Sequence, residues 1–212
     1  MPAIANQAGD PSATLLALGA ATLGESGGRP MHPRISSAWP GALLAGPAYC
    51  VECAPADNLA VHAAVVHAPP GSVLVVDVAP PERGYWGEVL TTAAEARGLR
   101  GLVIDGGVRD VAALEDHRFP VFSALIALQG AAKTSGGRIG GSAVVGDVEV
   151  RSGDWVVGDR DGVTVVPAAD LQSTIERAQA RADKEAGLFA SLRGGATTTD
   201  LLNLDVSPVV IL

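Results

Sequence analysis

Gly101-Leu102-Val103-Ile104-Asp105-Gly106-Gly107-Val108-Arg109-Asp110 is the stretch that decides the fold. The apolar segment Leu102-Val103-Ile104 runs into two glycines and then an adjacent cation and anion. A short apolar run bounded by turn residues reads as a buried strand, here over residues 101–105. Such a strand-to-loop exit can hold a carboxylate beside a divalent metal. Arg109 can clamp a carboxylate with two parallel N–H bonds. Asp110 is a hard oxygen ligand suited to Mg²⁺ or Mn²⁺. Together they suit a 2-oxo acid that is to become an enolate.

On either side of this stretch the pattern is regular. Residues 48–54 read as a strand and 57–68 as a helix with Asp57 as N-cap. Residues 72–78 read as a buried strand, and 86–98 as a helix ending at Gly98. After the strand at 101–105 come a short helix over 109–116 and a strand that begins at Val121-Phe122. This rhythm predicts an α/β fold, a central sheet covered by helices. Beyond residue 138 two Val-rich stretches, 143–150 and 155–166, are broken by Gly146-Asp147, Ser152-Gly153-Asp154 and Asp161-Gly162, which reads as a C-terminal β-hairpin region. A long charged helix follows over 168–193. At the other end, 1–10 read as flexible, 11–23 as a helix with Leu15, Leu16 and Leu18 on its apolar side, and 30–47 as an irregular connection. One domain over 11–198 accounts for the chain, with a tail over 199–212. That tail ends in Val209-Val210-Ile211-Leu212, which needs cover from the core or from another chain.

Composition narrows the function. With 212 residues, 48% of them hydrophobic, the chain can bury a sizeable core. A net charge of -8 argues against a nucleic-acid surface, which needs a basic patch. No apolar run reaches membrane-spanning length and no basic-then-apolar leader opens the chain, so no membrane partner is expected. Cys50 and Cys53 form a C-x-x-C, but in an alternating strand they should face apart, and no second pair exists for zinc. Free thiols point to the cytoplasm. His32, His62, His67 and His117 show no ligand spacing and receive no chemistry.

A second block strengthens the first. Trp86-Gly87-Glu88-Val89-Leu90 opens the predicted helix that ends at Gly98, just before the decisive strand. A helix N-terminus offers unpaired N–H groups to an anion. With Gly46-Pro47-Ala48, Asp57-Asn58-Leu59, Pro120-Val121-Phe122, Gly153-Asp154 and Asp161-Gly162-Val163, these blocks resemble the class II pyruvate aldolases over roughly residues 12–203. That family is typified by 4-hydroxy-4-methyl-2-oxoglutarate / 4-carboxy-4-hydroxy-2-oxoadipate aldolase and shares its fold with the regulator of ribonuclease activity A. The resemblance implies a layered fold of the swivelling-domain type, a homotrimer or homohexamer, and active sites between subunits. It implies that Asp110 binds Mg²⁺ or Mn²⁺, that Arg109 holds the pyruvyl oxygens, and that the backbone N–H groups of Gly87, Glu88, Val89 and Leu90 receive the substrate carboxylate. It further implies catalytic roles for Glu25, for Glu185 reaching the metal's water shell from the next subunit, and for Lys133 near the substrate.

The reaction so implied is retro-aldol cleavage of a 4-hydroxy-2-oxo acid to pyruvate through a metal-stabilised enolate, with oxaloacetate decarboxylation as a second outlet. A metal-bound water assisted by Glu185 or Glu25 is the candidate base. Two departures stand out. Ala113 replaces the acid that aldolases carry three residues after the Arg-Asp pair, and Ser123-Ala124-Leu125-Ile126-Ala127-Leu128-Gln129-Gly130 replaces a basic stretch. The real substrate is then smaller or less charged than a tricarboxylic acid. Plainer readings stand beside these. Taken alone, Arg109-Asp110 reads as a surface ion pair, and only the Gly87 block and the buried strand between favour the site; Glu88 reads as a first-turn helix acid, Glu185 as a solvated acid and Lys133 as a surface lysine. The alternative functions are a non-catalytic regulatory binding protein, or a specialised-pathway enzyme with a changed substrate. No Gly-rich nucleotide loop follows the first strand, which argues against a methyltransferase.

Overall fold

The computed structural model describes residues 9–210, so the expectations for residues 1–8 and for Ile211 and Leu212 fall outside the described residues. The chain opens with helices α1 (Ser12–Leu18) and α2 (Ala20–Gly24). The sequence predicts one helix here. Gly19, at φ 79, breaks it, and the Asp159 carboxylate caps the second piece by accepting the Ala20 N–H at 2.7 Å. Asp10, expected in a flexible arm, is ion-paired with Arg100.

The stretch expected to be irregular contains two short strands, β1 (Arg29–Pro30) and β2 (Ser36–Ser37), and the start of β3 (Leu44–Cys53). The α/β run follows: α3 (Leu59–His67), β4 (Val73–Asp77), β5 (Gly84–Trp86), α4 (Glu88–Ala96), β6 (Gly101–Val108), α5 (Val111–Asp116) and β7 (Val121–Ile126). Then come β8 (Gly137–Ile139), the hairpin β9 (Ser142–Val145) with β10 (Val148–Arg151), and the hairpin β11 (Trp155–Asp159) with β12 (Gly162–Val166). A 3-10 turn leads into the long helix α6 (Leu171–Arg193), followed by α7 (Thr198–Leu201).

The main sheet runs β1-β12-β11-β3-β4-β6-β7-β2. Strands β3, β4, β6 and β7 are parallel and adjacent in chain order. Successive right-handed crossovers that step in one direction put all their helices on one face. Val61, Ala64 and Val65 of α3, Leu90 and Ala94 of α4 and Leu114 of α5 accordingly pack on Val51, Leu74, Val76, Leu102 and Ile104. The opposite face, with Cys50, Val73, Val75, Val103 and Phe122, is covered by strands, through Ala143, Val145 and Val150 and through Val156, Val163 and Val165. Helices thus cover one face of the curled sheet and hairpins the other, and α1, α2 and α6 close a smaller core on β11.

Alternation along β3 turns Cys50 to the hairpin face and Cys53 to the helix face. Both are free thiols, and burial pushes them up to about 11 and about 12. The core does not cover the apolar tail, since Val209 and Val210 stand exposed.

Candidate functional site

The cavity forms where β6 gives out. Strand β5 pairs in parallel with Gly107 and Val108, and the Arg109 N–H donates to the Trp86 carbonyl at 2.9 Å. This lays Gly87, the N-cap of α4, against Asp110, the N-cap of α5. Asp110 adopts a left-handed conformation (φ 56, ψ 37), which costs a non-glycine residue about 1 kcal/mol. Its carboxylate Oδ2 accepts the Glu88 N–H at 3.1 Å and lies 3.7 Å from Arg109 Nε. A side chain at Gly87 would collide with it, because a Cβ there would sit 2.4 Å from Asp110 Oδ2. On the wall behind, a Cβ at Gly107 would meet the Arg83 carbonyl at 2.5 Å and the Ala127 methyl at 2.6 Å. The glycines are therefore what allow two chain segments to press on the exit of β6.

The space so enclosed is a cavity of about 170 Å³ lined by Gly87, Val89, Leu90, Arg109, Asp110 and Lys133, together with Asn58, His62, Gly84, Tyr85, Trp86, Gly130 and Ala131. Six of the predicted residues therefore meet in one place, although they come from three separate chain segments. The N–H groups of Val89 and Leu90 donate to no protein group among the described residues. They stand at the start of a nine-residue helix, where the backbone dipole favours an anion. The Glu88 N–H is already taken by Asp110, and its carboxylate turns toward His117, 3.8 Å from Nε2. Asp57, fully buried, accepts the N–H of Leu59 at 2.8 Å and of Ser135 at 2.9 Å. Burial raises its carboxyl, but those amides and that of Thr134 outweigh it and hold Asp57 below its ordinary value. The bond to Ser135 ties the Lys133 loop to the start of α3.

Two lining residues carry unfilled hydrogen-bonding capacity. Asn58, 4% exposed, donates Nδ2 to the Tyr85 carbonyl at 2.8 Å, while its Oδ1 has no partner. His62 Nε2 is buried and equally unpartnered. Burial holds the His62 imidazole below its ordinary value of 6.5, the Lys133 ammonium adds to this, and Asp57 opposes it. The sequence reading gave His62 no chemistry. Asn58 and His62 stand four apart at the start of α3 and so share a helix face, but that spacing alone does not mark them.

Glu25 and Glu185 do not line the cavity. Arg181 bridges them beside the smaller core that α1, α2 and α6 close on β11, contacting the Glu25 carboxylate and placing Nε 3.0 Å from Glu185 Oε1. Among the described residues no three His, Cys, Asp or Glu side chains converge as a metal would require of a closed protein cage. Mg²⁺ asks less, since it keeps several waters and takes one or two carboxylates. Asp110 fits that demand, half-exposed at the cavity with Oδ1 free of hydrogen bonds among the described residues.

A family profile described as "RraA-like: Aldolase/RraA" matches residues 13–165. A protein of Halalkalibacterium halodurans bearing the name "Putative 4-hydroxy-4-methyl-2-oxoglutarate aldolase" is 37% identical over 145 residues, which is 68% of this chain and 69% of that one. The solved structure of an uncharacterized protein from Pseudomonas syringae pv. tomato superposes with a TM-score of 0.76 at 28% identity, covering 84% of this chain and 85% of the other. The RNA-processing inhibitor RraA from Thermus thermophilis superposes with a TM-score of 0.60 at 25% identity, covering 66% of this chain and 85% of the inhibitor.

Proposed function

The chain belongs to the RraA-like Aldolase/RraA family, and from that membership we propose that it is a divalent-metal-dependent carbon–carbon lyase releasing pyruvate from a 4-hydroxy-2-oxo acid. One observation carries the reading: the Asp110 carboxylate, the Arg109 guanidinium and the free amides of Val89 and Leu90 face a single small cavity. The amides and the helix dipole receive the substrate carboxylate. The Arg109 guanidinium lies beside the 2-oxo group and stabilises the negative charge that develops there when the C3–C4 bond breaks. Lys133 adds a second positive charge at the cavity wall. Asp110 would hold Mg²⁺ or Mn²⁺, which supplies further positive charge to the same oxygens. Loss of CO₂ from oxaloacetate generates the same charge, so decarboxylation is a natural second activity.

Glu25 and Glu185, joined through Arg181 and absent from the cavity of their own chain, would act in the cavity of a neighbouring copy. A homotrimer or homohexamer with sites between subunits follows from this reading. The decisive experiment measures pyruvate release from 4-hydroxy-2-oxo acids and from oxaloacetate, with Mg²⁺, with Mn²⁺ and with chelator. Turnover that requires the ion supports the lyase. An intact oligomer with no turnover of any of them favours the second reading, a regulatory binding protein. That reading draws on the single cavity carboxylate and on the likeness to an RNA-processing inhibitor.

A further inference from the structure

We propose that His62 is the acid–base residue of this cavity, taking the C4 hydroxyl proton of the substrate and returning it to C3. This inference rests on the lyase reading and assigns the base that the reading leaves open.

Retro-aldol cleavage needs a group that can accept a proton at neutral pH and sits within the cavity. Glu25 and Glu185 are outside it in their own chain and would reach it only from a neighbouring copy, so this inference takes His62 in place of the metal-bound water they would assist. Asp110 has one oxygen engaged by the Glu88 N–H and by Arg109, and Lys133 presents an ammonium with no lone pair to offer. His62 lines the cavity with a buried, unpartnered Nε2, and the neighbouring Asn58 Oδ1 is a second unfilled acceptor. Leaving a buried acceptor unfilled costs about 1–3 kcal/mol. A ligand that brings a donor to these two lining residues, as a hydroxyl does, is therefore favoured. No hydrogen bond among the described residues engages His62 Nδ1, and with the ring proton on Nδ1 the Nε2 lone pair is free to accept.

The step balances without any outside reagent. The C4–O–H proton passes to His62 Nε2, the O–H electrons form the C4=O bond, and the C3–C4 electrons move onto the pyruvyl fragment. The aldehyde or ketone leaves, and His62 returns the proton to C3, giving pyruvate and the neutral imidazole. The charged groups facing His62 suit both halves. Burial and the Lys133 ammonium keep the imidazole neutral before reaction and drive the proton off it afterwards, against the smaller pull of Asp57. Arg109 and Asp110, which share the cavity, balance one another.

The test exploits a difference between the two reactions. Oxaloacetate has no C4 hydroxyl proton to remove, and the proton that C3 takes up after CO₂ leaves comes from solvent, so its decarboxylation does not call on His62 as a base. His62→Gln and His62→Asn should cut 4-hydroxy-2-oxo acid cleavage by about 10²–10⁴-fold, while oxaloacetate loss falls by no more than about tenfold. Wild-type cleavage should also decline on the acid side of neutrality, and that limb should vanish in both variants. Circular dichroism and the unfolding midpoint verify that each variant is folded. Equal losses in both reactions from a folded variant, or an unchanged acid limb, overturn the role of His62 and leave the lyase reading standing. A wild-type protein that turns over neither substrate overturns both.

Discussion

Replacing Gly87 with alanine tests whether the contact between the two helix N-termini makes the site. Gly87 has φ -172, extended backbone open to any residue, so the change brings no backbone strain. Its whole effect is steric. The new methyl would lie 2.4 Å from Asp110 Oδ2 and 3.1 Å from Arg109 Cγ, whereas ordinary contact begins at 3.4 Å. The carboxylate must therefore retreat by about 1 Å, and a displacement of that size costs an active site on the order of 10²-fold. The atoms that yield are side-chain atoms, so the fold gives up little more than the Glu88 N–H bond to Asp110, about 1 kcal/mol. That corresponds to about 2–4 °C in the unfolding midpoint of a domain this size. Pyruvate release, titration of Mg²⁺ by calorimetry, and a melting curve measure the three quantities. The reasoning requires activity and ion affinity to collapse together while the melting point barely moves. Wild-type turnover in a folded Gly87→Ala protein would refute it. Gly107→Ala is the contrast, because there the methyl meets the Arg83 backbone carbonyl at 2.5 Å and the fold itself must give way.

Asp110→Asn keeps a side chain that tolerates the left-handed backbone, so the protein should melt as the wild type does yet lose at least about 10²-fold in metal-dependent pyruvate release. If the variant keeps full turnover, Asp110 is no ligand. Mixing Asp110→Asn with Glu185→Gln under conditions that exchange subunits should restore activity, to about a quarter of wild type in a statistical mixture of a closed ring, because some interfaces then pair an intact Asp110 with an intact Glu185. No recovery despite mass-spectrometric evidence of mixed oligomers would place Glu185 outside the site. Arg34→Gln removes the guanidinium that holds Asp105 through Nε at 2.9 Å and Nη2 at 2.7 Å, and should cost about 2 kcal/mol in urea unfolding at pH 7, at the low end for such pairs because Arg34 is one-third exposed. Burial raises the Asp105 carboxyl, but Arg34 and the Gly146 amide outweigh it and bring it below 3.8, so this stabilisation is present above the ordinary carboxyl range and should fade as pH falls through the lowered value. A difference between the two proteins that persists unchanged into strong acid contradicts that account. His62 gives a similar sign. Its folded-state value lies below 6.5, so the unfolded chain takes its proton first, and stability should be full above 6.5 and drop as pH falls beneath it. His62→Gln should flatten that part of the stability curve.

The parallel strands were legible because they are buried on both faces and carry unbroken apolar runs, as Val73–Val76 and Leu102–Ile104 do. The hairpins were legible from Gly146-Asp147 and Asp161-Gly162, which fall in or beside the turns. Strand β5 was not, because Gly84-Tyr85-Trp86 is only three residues long, and Trp86 reads as the start of the helix over 86–98. The first half of β3 was hidden for a different reason. Leu44–Pro47 sits among Gly and Pro and becomes strand only through pairing with Trp155–Gly158, more than a hundred residues away. The single helix over 11–23 failed at Gly19, where the Asp159 carboxylate rewards a break that local propensity does not foresee. At the site, Gly87, Val89, Leu90, Arg109 and Asp110 could be named because each stands at an element boundary with a chemical signature. His62 and Asn58 could not be singled out by motif, since their importance lies in missing partners, and absence of a partner is a property of the folded chain.

The placement of Glu25 and Glu185 also follows from the way the sheet is wound. Three one-directional crossovers use up the helix face over β3, β4, β6 and β7, so the late elements β11, β12 and α6 add on beyond β3, together with α1 and α2. Strands β11, β3 and β4 then stand between β12, on which α2 packs, and β6, which delivers Asp110. At the usual strand spacing that is on the order of 15–20 Å along the sheet, well beyond the reach of a glutamate side chain. No rotamer change within one chain brings Glu25 or Glu185 to Asp110. Yet the ion pairs to Arg181 hold the two carboxylates together, although they are 160 residues apart in sequence. The two acids, one at the C-terminal end of α2 and one on α6, meet only Arg181 among the described residues; on the lyase reading, an Asp110 site on a second copy would be their complement.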